Sequence, residues 1–459
     1  MPIKTLDEYL KQYATAPKTT EQKTPEKTTY KVIEFYKETE FQETPIGKIP
    51  KEWRIVKLYE ITEKVKAGGT PRVSRQEYWN GNIPFVKIED LTASRKYLYS
   101  TKAFITELGL RNSNAWIVPE GSLLLAMYGS MGEVAINKIK VATNQAILGI
   151  VPRPNITLVE YLYYWFLYFK PRWRRYAKWT TQPNLTAEIV KSSYIPFPPL
   201  EEQWGIAEVL STVDRAIEAT ERVIEKLERL KRGLMQELLT KGIGHKEYKQ
   251  TPIGKIPKQW TLKKLGEIAK IRRGASPRPK GDPRYFGGNI PWIKISDLTK
   301  YQRGFYLTRT DDTVTEEGKK KSVYLEDGTL IISNSGTIGR PAIIKTGVGG
   351  CIHDGFIAVE PIKAVDKYYL FYFFDFKKEE FQLKAQIGTQ GNMNTKIWRS
   401  IKLPLPPYEE QKRIVAILST IDGWIELEKN RKEKLERLKR GLMELLLTGR
   451  VRVRVERVS

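Results

Sequence analysis

The sequence predicts an α+β protein made of two tandem globular α+β domains in a pseudo-two-fold arrangement, joined by two long helices that form an antiparallel coiled coil. Three observations carry this. Thr44-Pro-Ile-Gly-Lys-Ile-Pro-Lys51 recurs letter for letter as Thr251 to Lys258, an interval of 207 residues. Short β-branched runs broken by Gly and Asn fill the first part of each copy. A stretch of apolar residues at 4–3 spacing closes each copy.

The repeat comes first because it organises everything else. Each opener is followed by a tryptophan, Trp53 or Trp260. Asn82-Ile-Pro-Phe-Val-Lys-Ile-Glu-Asp-Leu-Thr92 matches Asn289 to Thr299, and Gly121 to Gly132 matches Gly328 to Gly339. Pro196-Phe-Pro-Pro-Leu-Glu-Glu-Gln203 answers Pro404 to Gln411, and Lys226 to Met235 is repeated as Lys434 to Met443. The stretches between, such as 95–118 against 303–325, have drifted apart. Loop drift after duplication explains this, and so does a shared scaffold carrying different readers.

Within one unit, Ile83–Ile88, Ser122–Ala126 and Ala146–Val151 read as strands, and an aromatic helix follows over Val159–Tyr176. The globular domains are thus 44–199 and 251–407. Residues 1–43 are an extension outside the repeat, with Leu6, Tyr9, Leu10 and Tyr13 at helical spacing ahead of a Thr/Lys/Glu/Pro-rich, partly flexible stretch. Helices occupy 200–243 and 408–448, with a linker at 244–250 and a basic tail at 449–459.

The first helix carries its seam on Ile206, Leu210, Val213, Ile217, Thr220, Ile224, Leu227, Leu234 and Leu238. Pro198-Pro199 starts it sharply and Gly242 lets it stop. The second seam runs Ile414, Leu418, Ile421, Ile425, Leu435, Leu438, Leu442, Leu446, and is expected to loosen at Glu428 and Lys432. Pairing of the two helices with each other is the plain reading. A helix of about 40 residues is about 60 Å long, so antiparallel pairing would set the two domains about one to two DNA turns apart.

The formal charge of +25 favours a polyanionic partner, with nucleic acid ahead of acidic lipid. The longest apolar run, Tyr161–Phe169, is far short of the roughly 20 residues of a membrane span. A single cysteine, Cys351, allows no internal disulfide, and no apolar signal core follows the first residues; both point to the cytoplasm. Two histidines, His245 and His353, are too few for a Cys/His metal cluster. Lys/Glu-rich composition with little Cys and Met suits a thermophile.

The openers Ile49-Pro-Lys-Glu-Trp53 and Ile256-Pro-Lys-Gln-Trp260, the Gly-Asn-Ile-Pro strands ending in Asp-Leu, the Gly-Ser-Leu-Leu run ending Tyr128-Gly-Ser130, and Asn144-Gln145-Ala146 form an ordered set. With Pro-Pro-x-Glu-Glu-Gln and the helix ends Leu238-Leu-Thr-Lys241 and Leu446-Leu-Thr-Gly449, this order resembles the type I restriction–modification specificity subunits. Each motif is weak alone; their order, occurring twice over 44–459, is specific. The resemblance implies two target recognition domains that read the half-sites of a bipartite double-stranded DNA target. It also implies docking of two methyltransferase (modification) subunits, and then restriction (translocase/endonuclease) subunits, on the helices. S-adenosylmethionine, ATP and Mg would be used by those partners, with no cofactor on this chain. The role of 1–43 lies outside the resemblance.

The residues themselves offer little catalysis. No Asn/Asp-Pro-Pro-aromatic motif exists, since Phe197 and Leu405 precede the proline pairs, and no phosphate loop appears. Glu89-Asp90 and Asp311-Asp312 are acidic pairs of the kind that is usually solvated, and Ser296 replaces Glu89 in copy two. His353-Asp354 takes the place of Asn144-Gln145, which suits hydrogen bonding better than nucleophile activation.

For DNA contact, Lys170, Arg172, Arg174, Arg175 and Lys178 interleave with Trp173, Tyr176 and Trp179, either as a backbone-binding face or as a solvated one. Thr181, Gln182 and Asn184 parallel Thr389, Gln390 and Asn392, a polar loop suited to base edges or to turn chemistry. Arg272, Arg273, Arg278, Lys280 and Arg284 form a basic loop in domain two. Tyr128, Ser130 and Thr337 sit in Gly-containing turns that present hydroxyls or simply turn the chain. Lys87, Lys294 and Arg340 complete the set of candidates.

Overall fold

The computed structural model describes residues 30–176, 178–179, 183–387 and 393–457. Its contacts fall into two units. Of the described residues, the first joins 30–219 to 432–457; the second is 220–431.

In the first unit a five-stranded sheet runs in the order Thr62–Ala67, Ile147–Pro152, Leu123–Ala126, Val134–Asn137, Tyr97–Leu98. Leu123 to Ala126 and Val134 to Asn137 are buried along their whole length, as continuous apolar strands covered on both faces should be. The strands of a three-stranded sheet, Ala142–Thr143, Trp79–Val86, Ala103–Ile105, interleave with these along the chain. The second unit repeats this as a six-stranded sheet around Leu330–Ser333 and Phe356–Pro361 and a four-stranded sheet around Phe286–Ile293.

An aromatic helix covers the larger sheet in each unit. In the first, it is α-helical over Val159–Phe169 and tightens to a 3-10 turn over Lys170–Arg175. Pro171 supplies the reason, because it offers no amide to the helical ladder and crowds the preceding turn. The second copy has no such proline and runs unbroken over Lys367–Ile387. Tyr161 and Tyr369 are fully buried and donate to the carbonyls of Pro196 and Pro404 at 2.6 and 2.7 Å. Burial pushes both phenols well above their usual pKa.

The Pro-Pro-x-Glu-Glu-Gln motif earns its near-identity by what it holds. Gln203 accepts from the Leu158 amide at 3.0 Å and donates to the carbonyls of Ile156 and Pro198. Gln411 does the same with Asp366, Ala364 and Pro406. The preceding glutamate, Glu202 or Glu410, is buried and accepts from Trp53 or Trp260 at 2.9 and 3.0 Å. One motif therefore fixes the start of the aromatic helix, the opener and the first turn of the long helix.

The long helices span Leu200–Leu238 and Tyr408–Leu447. Within the first unit, Ile206, Ala207 and Leu210 pack with Met443, Leu446 and Leu447. Within the second, Leu234, Met235 and Leu238 pack with Ile414, Leu418, Ile421 and Ile425. In both units the pairing is antiparallel, as the ion pairs Glu228–Lys429 and Lys231–Asp422 show in the second. The expected seam is corrected at one position. Leu438 is 50% exposed, and Lys439 turns inward instead to meet Asp214 at 2.6 Å. A 3.6-residue helix drifts against a strict 4–3 count, and after the polar positions 428 and 432 the phase settles one residue further on.

The helix expected around residues 6–13 lies outside the described residues, whereas two segments for which the sequence predicted no element are strands. Tyr30–Lys37 pairs antiparallel with Val451–Arg457, with Phe35 opposite Val453. No described helix is long and apolar enough to cross a membrane.

Candidate nucleic-acid interface

A glycine-led loop pressed against a turn builds the same cleft in each domain. In the first, a Cβ on Gly68 would stand 2.0 Å from the Thr143 carbonyl, so no other residue fits this approach. The loop continues Gly69-Thr-Pro-Arg72, and the Thr70 hydroxyl donates to Oε1 of Gln145. Gln145 is exposed and also hydrogen-bonds Tyr128, whose turn is made by Gly129 at φ +72°. Lys87 caps the following short helix and places its ammonium 5.7 Å from the Trp79 ring.

The second domain copies the frame with different groups. A Cβ on Gly274 would stand 2.1 Å from the His353 carbonyl. Ser276 Oγ donates to Asp354 Oδ1 at 2.7 Å. Ser276, Arg278, Lys280, Trp292, Lys294 and His353 line a cavity of about 580 Å³. Burial lowers the pKa of His353, and nearby Arg278, Lys280 and Lys294 act with it against the opposing pull of Asp354. His353 Nδ1 lies 2.9 Å from the Gly355 amide and 3.0 Å from Asp354 Oδ1. Burial disfavours the ionised form of Asp354, but Ser276, His353 and Arg273 outweigh it and hold the carboxyl below its usual range.

The cleft gathers some of the sequence-predicted residues and not others. In the first domain Tyr128 stands beside Gln145, and Ser130 is half-buried in the same turn; Arg278, Lys280 and Lys294 line the cavity of the second, with Arg273 donating to the Asp354 carbonyl at 3.1 Å. Lys294 is salt-bridged to Asp312, and Thr337 is exposed in its turn. Arg272 is committed to Glu360. Arg340 is tied to Gln302 and the Leu298 carbonyl, and burial lowers its pKa. Arg284 is paired with Asp282.

Arg172 folds back over the Tyr168 ring at 4.4 Å, while Arg174 and Arg175 are exposed. Lys178 and Asn184 sit opposite each other in a two-residue strand pair. Thr181, Gln182, Thr389, Gln390 and Asn392 lie outside the described residues. Thr70, Ser276, Gln145 and Asp354 were not singled out in the sequence as contacts. Their signal was there: (Thr/Ser)-Pro-Arg recurs after a glycine-led loop, one residue short of the repeat interval. A larger cavity of about 950 Å³ in the first unit lies elsewhere, between 90–102 and the first long helix. It mixes Lys96, Arg95 and Arg215 with Glu160, Glu208 and Asp214, a charge balance poorly suited to phosphate.

Two copies of one scaffold, each with a polar side chain held by a hydroxyl at the same position, define a tandem domain protein with two versions of one site. A family model described as "Type I restriction modification DNA specificity domain" matches residues 50–229 and again 257–437, and the chain belongs to this family. It is 30% identical to a putative type I restriction enzyme MjaX specificity subunit of Methanocaldococcus jannaschii, over 92% of this chain and 99% of that one. The MjaVIII specificity subunit of the same organism is also 30% identical, over 92% of this chain and 98% of that one. A solved chain from work on complex assembly and conformational transition of the type I R-M system shares the fold, with a TM-score of 0.57 and 19% identity, covering 87% of this chain and 98% of that one.

Proposed function

We propose that this chain is the DNA-sequence specificity subunit of a type I restriction–modification complex, itself non-catalytic, with one recognition domain assigned to each half of a split target. The observation that carries the reading is the duplicated cleft. One frame, Gly68 to Gln145 and Gly274 to Asp354, carries different polar groups in its two copies. A scaffold has no use for two different readers, whereas a bipartite target requires them.

In this reading the paired helices set the spacer and dock two methyltransferase subunits, and restriction subunits join that assembly. Apolar side chains left exposed on the helices support it: Val223 and Leu427 in one unit, Leu438 and Leu445 in the other. Methyl transfer from S-adenosylmethionine and ATP- and Mg-dependent cleavage are assigned to the partners.

The test is adenine-methylation mapping by long-read sequencing in cells making the chain with its cognate methyltransferase. A split motif with a fixed unspecified gap is expected. One continuous motif removes the two-reader arrangement, and a pattern indifferent to the chain removes the specificity role.

A further inference from the structure

Thr70 and Ser276 hold their partners in the same way. Each hydroxyl donates to an inner oxygen, Oε1 of Gln145 or Oδ1 of Asp354. That common bond fixes which face of each planar group turns outward. With its oxygen engaged by Thr70, the Gln145 amide has its NH2 on the other side. One of those two hydrogens is enough for the Tyr128 hydroxyl, so a second N–H remains for a ligand. With Oδ1 engaged by Ser276 and 3.0 Å from His353 Nδ1, Asp354 has no hydrogen bond to Oδ2 among the described residues, and a carboxylate oxygen can only accept. The side chains are accessible: Gln145 is exposed, and Asp354 keeps 37% of its side-chain surface.

The surroundings fit a base-reading position. A lone carboxylate beside DNA is repelled by phosphate, but Asp354 adjoins Ser276 and His353 on the rim of a cavity that Arg278 and Lys280 line, along with Lys294 and its partner Asp312. Gly68 and Gly274 bring the loops so close to the turns that the reader's backbone has no room to shift. A rigid backbone, a locked rotamer and an outward polar atom are what discrimination at a single base pair needs.

We infer that Gln145 and Asp354 are equivalent base-reading positions of opposite hydrogen-bond polarity, so that domain one reads an acceptor edge and domain two reads an exocyclic amino group. The acceptor edge is guanine N7/O6 or thymine O4; the amino group is cytosine N4 or adenine N6. This rests on the DNA-specificity reading above and adds to it the chemical identity of one base contact per half-site.

The test uses the full chain in its methyltransferase complex, with methylation maps compared for wild type, Gln145→Glu and Asp354→Asn. Gln145→Glu is expected to change the preferred base at one position of the first half-site only, and Asp354→Asn at one position of the second only. The preference at that position should shift about 10- to 100-fold. Asp354→Ser, which removes the outward acceptor without substituting a donor, should relax the position to several bases. Motifs unchanged in all three variants would overturn the inference while leaving the specificity role intact. Uniform loss of methylation in both Asp354 variants, with no change in base preference, would also overturn it and make the turn purely structural. Failure of the specificity role itself would show differently, as a wild-type pattern indifferent to the chain.

Discussion

The indole of Trp53 donates to Glu202 Oε2 at 2.9 Å across 149 residues of sequence, and Arg452 grips the other oxygen of that carboxylate at 2.7 Å. Arg452 also meets Glu38 at 2.6 Å, so the opener, the long helix and both terminal strands converge on one guanidinium. The second unit builds the node from Trp260, Glu410 and His245, the last 2.8 Å from Glu410.

These two nodes should differ in what they contribute. Arg452 retains only 4% side-chain exposure, and Arg452→Ala strands Glu202 without its countercharge; about 3–5 kcal/mol of stability should be lost. His245→Ala leaves Glu410 with the Trp260 and Ile243 N–H donors, so about 1–2 kcal/mol is expected. Urea unfolding followed by tryptophan fluorescence measures both, and equal losses would contradict the assignment.

A second repeated device ties the aromatic helices to the long ones. Tyr164 donates to Asp214 at 2.6 Å, and Asp214 is paired with Lys439. Tyr372, Asp422 and Lys231 repeat it at 2.7 and 2.6 Å. Hydrogen bonds to a charged group contribute about 1.5–3 kcal/mol, so Tyr164→Phe and Tyr372→Phe should each destabilise by that amount. A double-mutant cycle with Asp214→Asn should show strong coupling, because the two changes break one bond.

Much of this was legible from sequence because duplication wrote it twice. The tandem domains, the seams at Ile206 and Ile414 and the hinge at Gln203 and Gln411 all follow from repeated letters and periodicity. The inward turn of Lys439 was not legible, since spacing alone assigns seam positions to apolar residues and Leu438 was the nearest one. Arg272 and Arg340 read as free cations because their acceptors, Glu360 and Gln302, lie 88 and 38 residues away. The reading position was half visible: Asn144-Gln145 against His353-Asp354 marked a substitution, but only the folded chain brings Thr70 and Ser276 beside it.

Lys96 marks another divergence between the copies. It is buried against Tyr164 and Ser211, 2.6 Å from the serine hydroxyl. Burial lowers its pKa, partly opposed by Glu160, Asp214 and Glu208. A lysine that releases its proton earlier when folded makes the unfolded state bind more protons in the interval below the ordinary value near 10.4. Stability should therefore rise with pH through that interval and stay level below the folded pKa, where both states carry the proton. Lys96→Met should remove the rise, which urea unfolding at pH 7 and pH 10 would detect.

Cys351 offers a simpler readout. It is buried in the strand Gly350–Ile352, and burial pushes its thiol up to about 11. At pH 8 the thiolate fraction is negligible, and the sulfur is out of reach. A thiol-reactive chromogenic disulfide should leave the native chain unlabelled for hours and label one site after denaturation. Rapid labelling of native protein would mean that this strand opens locally.

The remaining prediction separates phosphate contact from base reading. Arg278 and Lys280 line the second cleft and have no ion pair among the described residues; each cation that neutralises a phosphate on binding contributes about 0.9 to the slope of log K against log salt. Replacing both with alanine should weaken DNA binding by the assembled complex at every sequence alike and reduce that slope by nearly 2. The recognised motif should stay the same, because a phosphate contact carries no base information. Arg272→Ala and Arg340→Ala should leave the slope unchanged, since their guanidinium groups are already held by Glu360, Gln302 and Leu298. Binding titrations across a salt series therefore sort the cations of this domain into those that meet DNA and those that hold the fold.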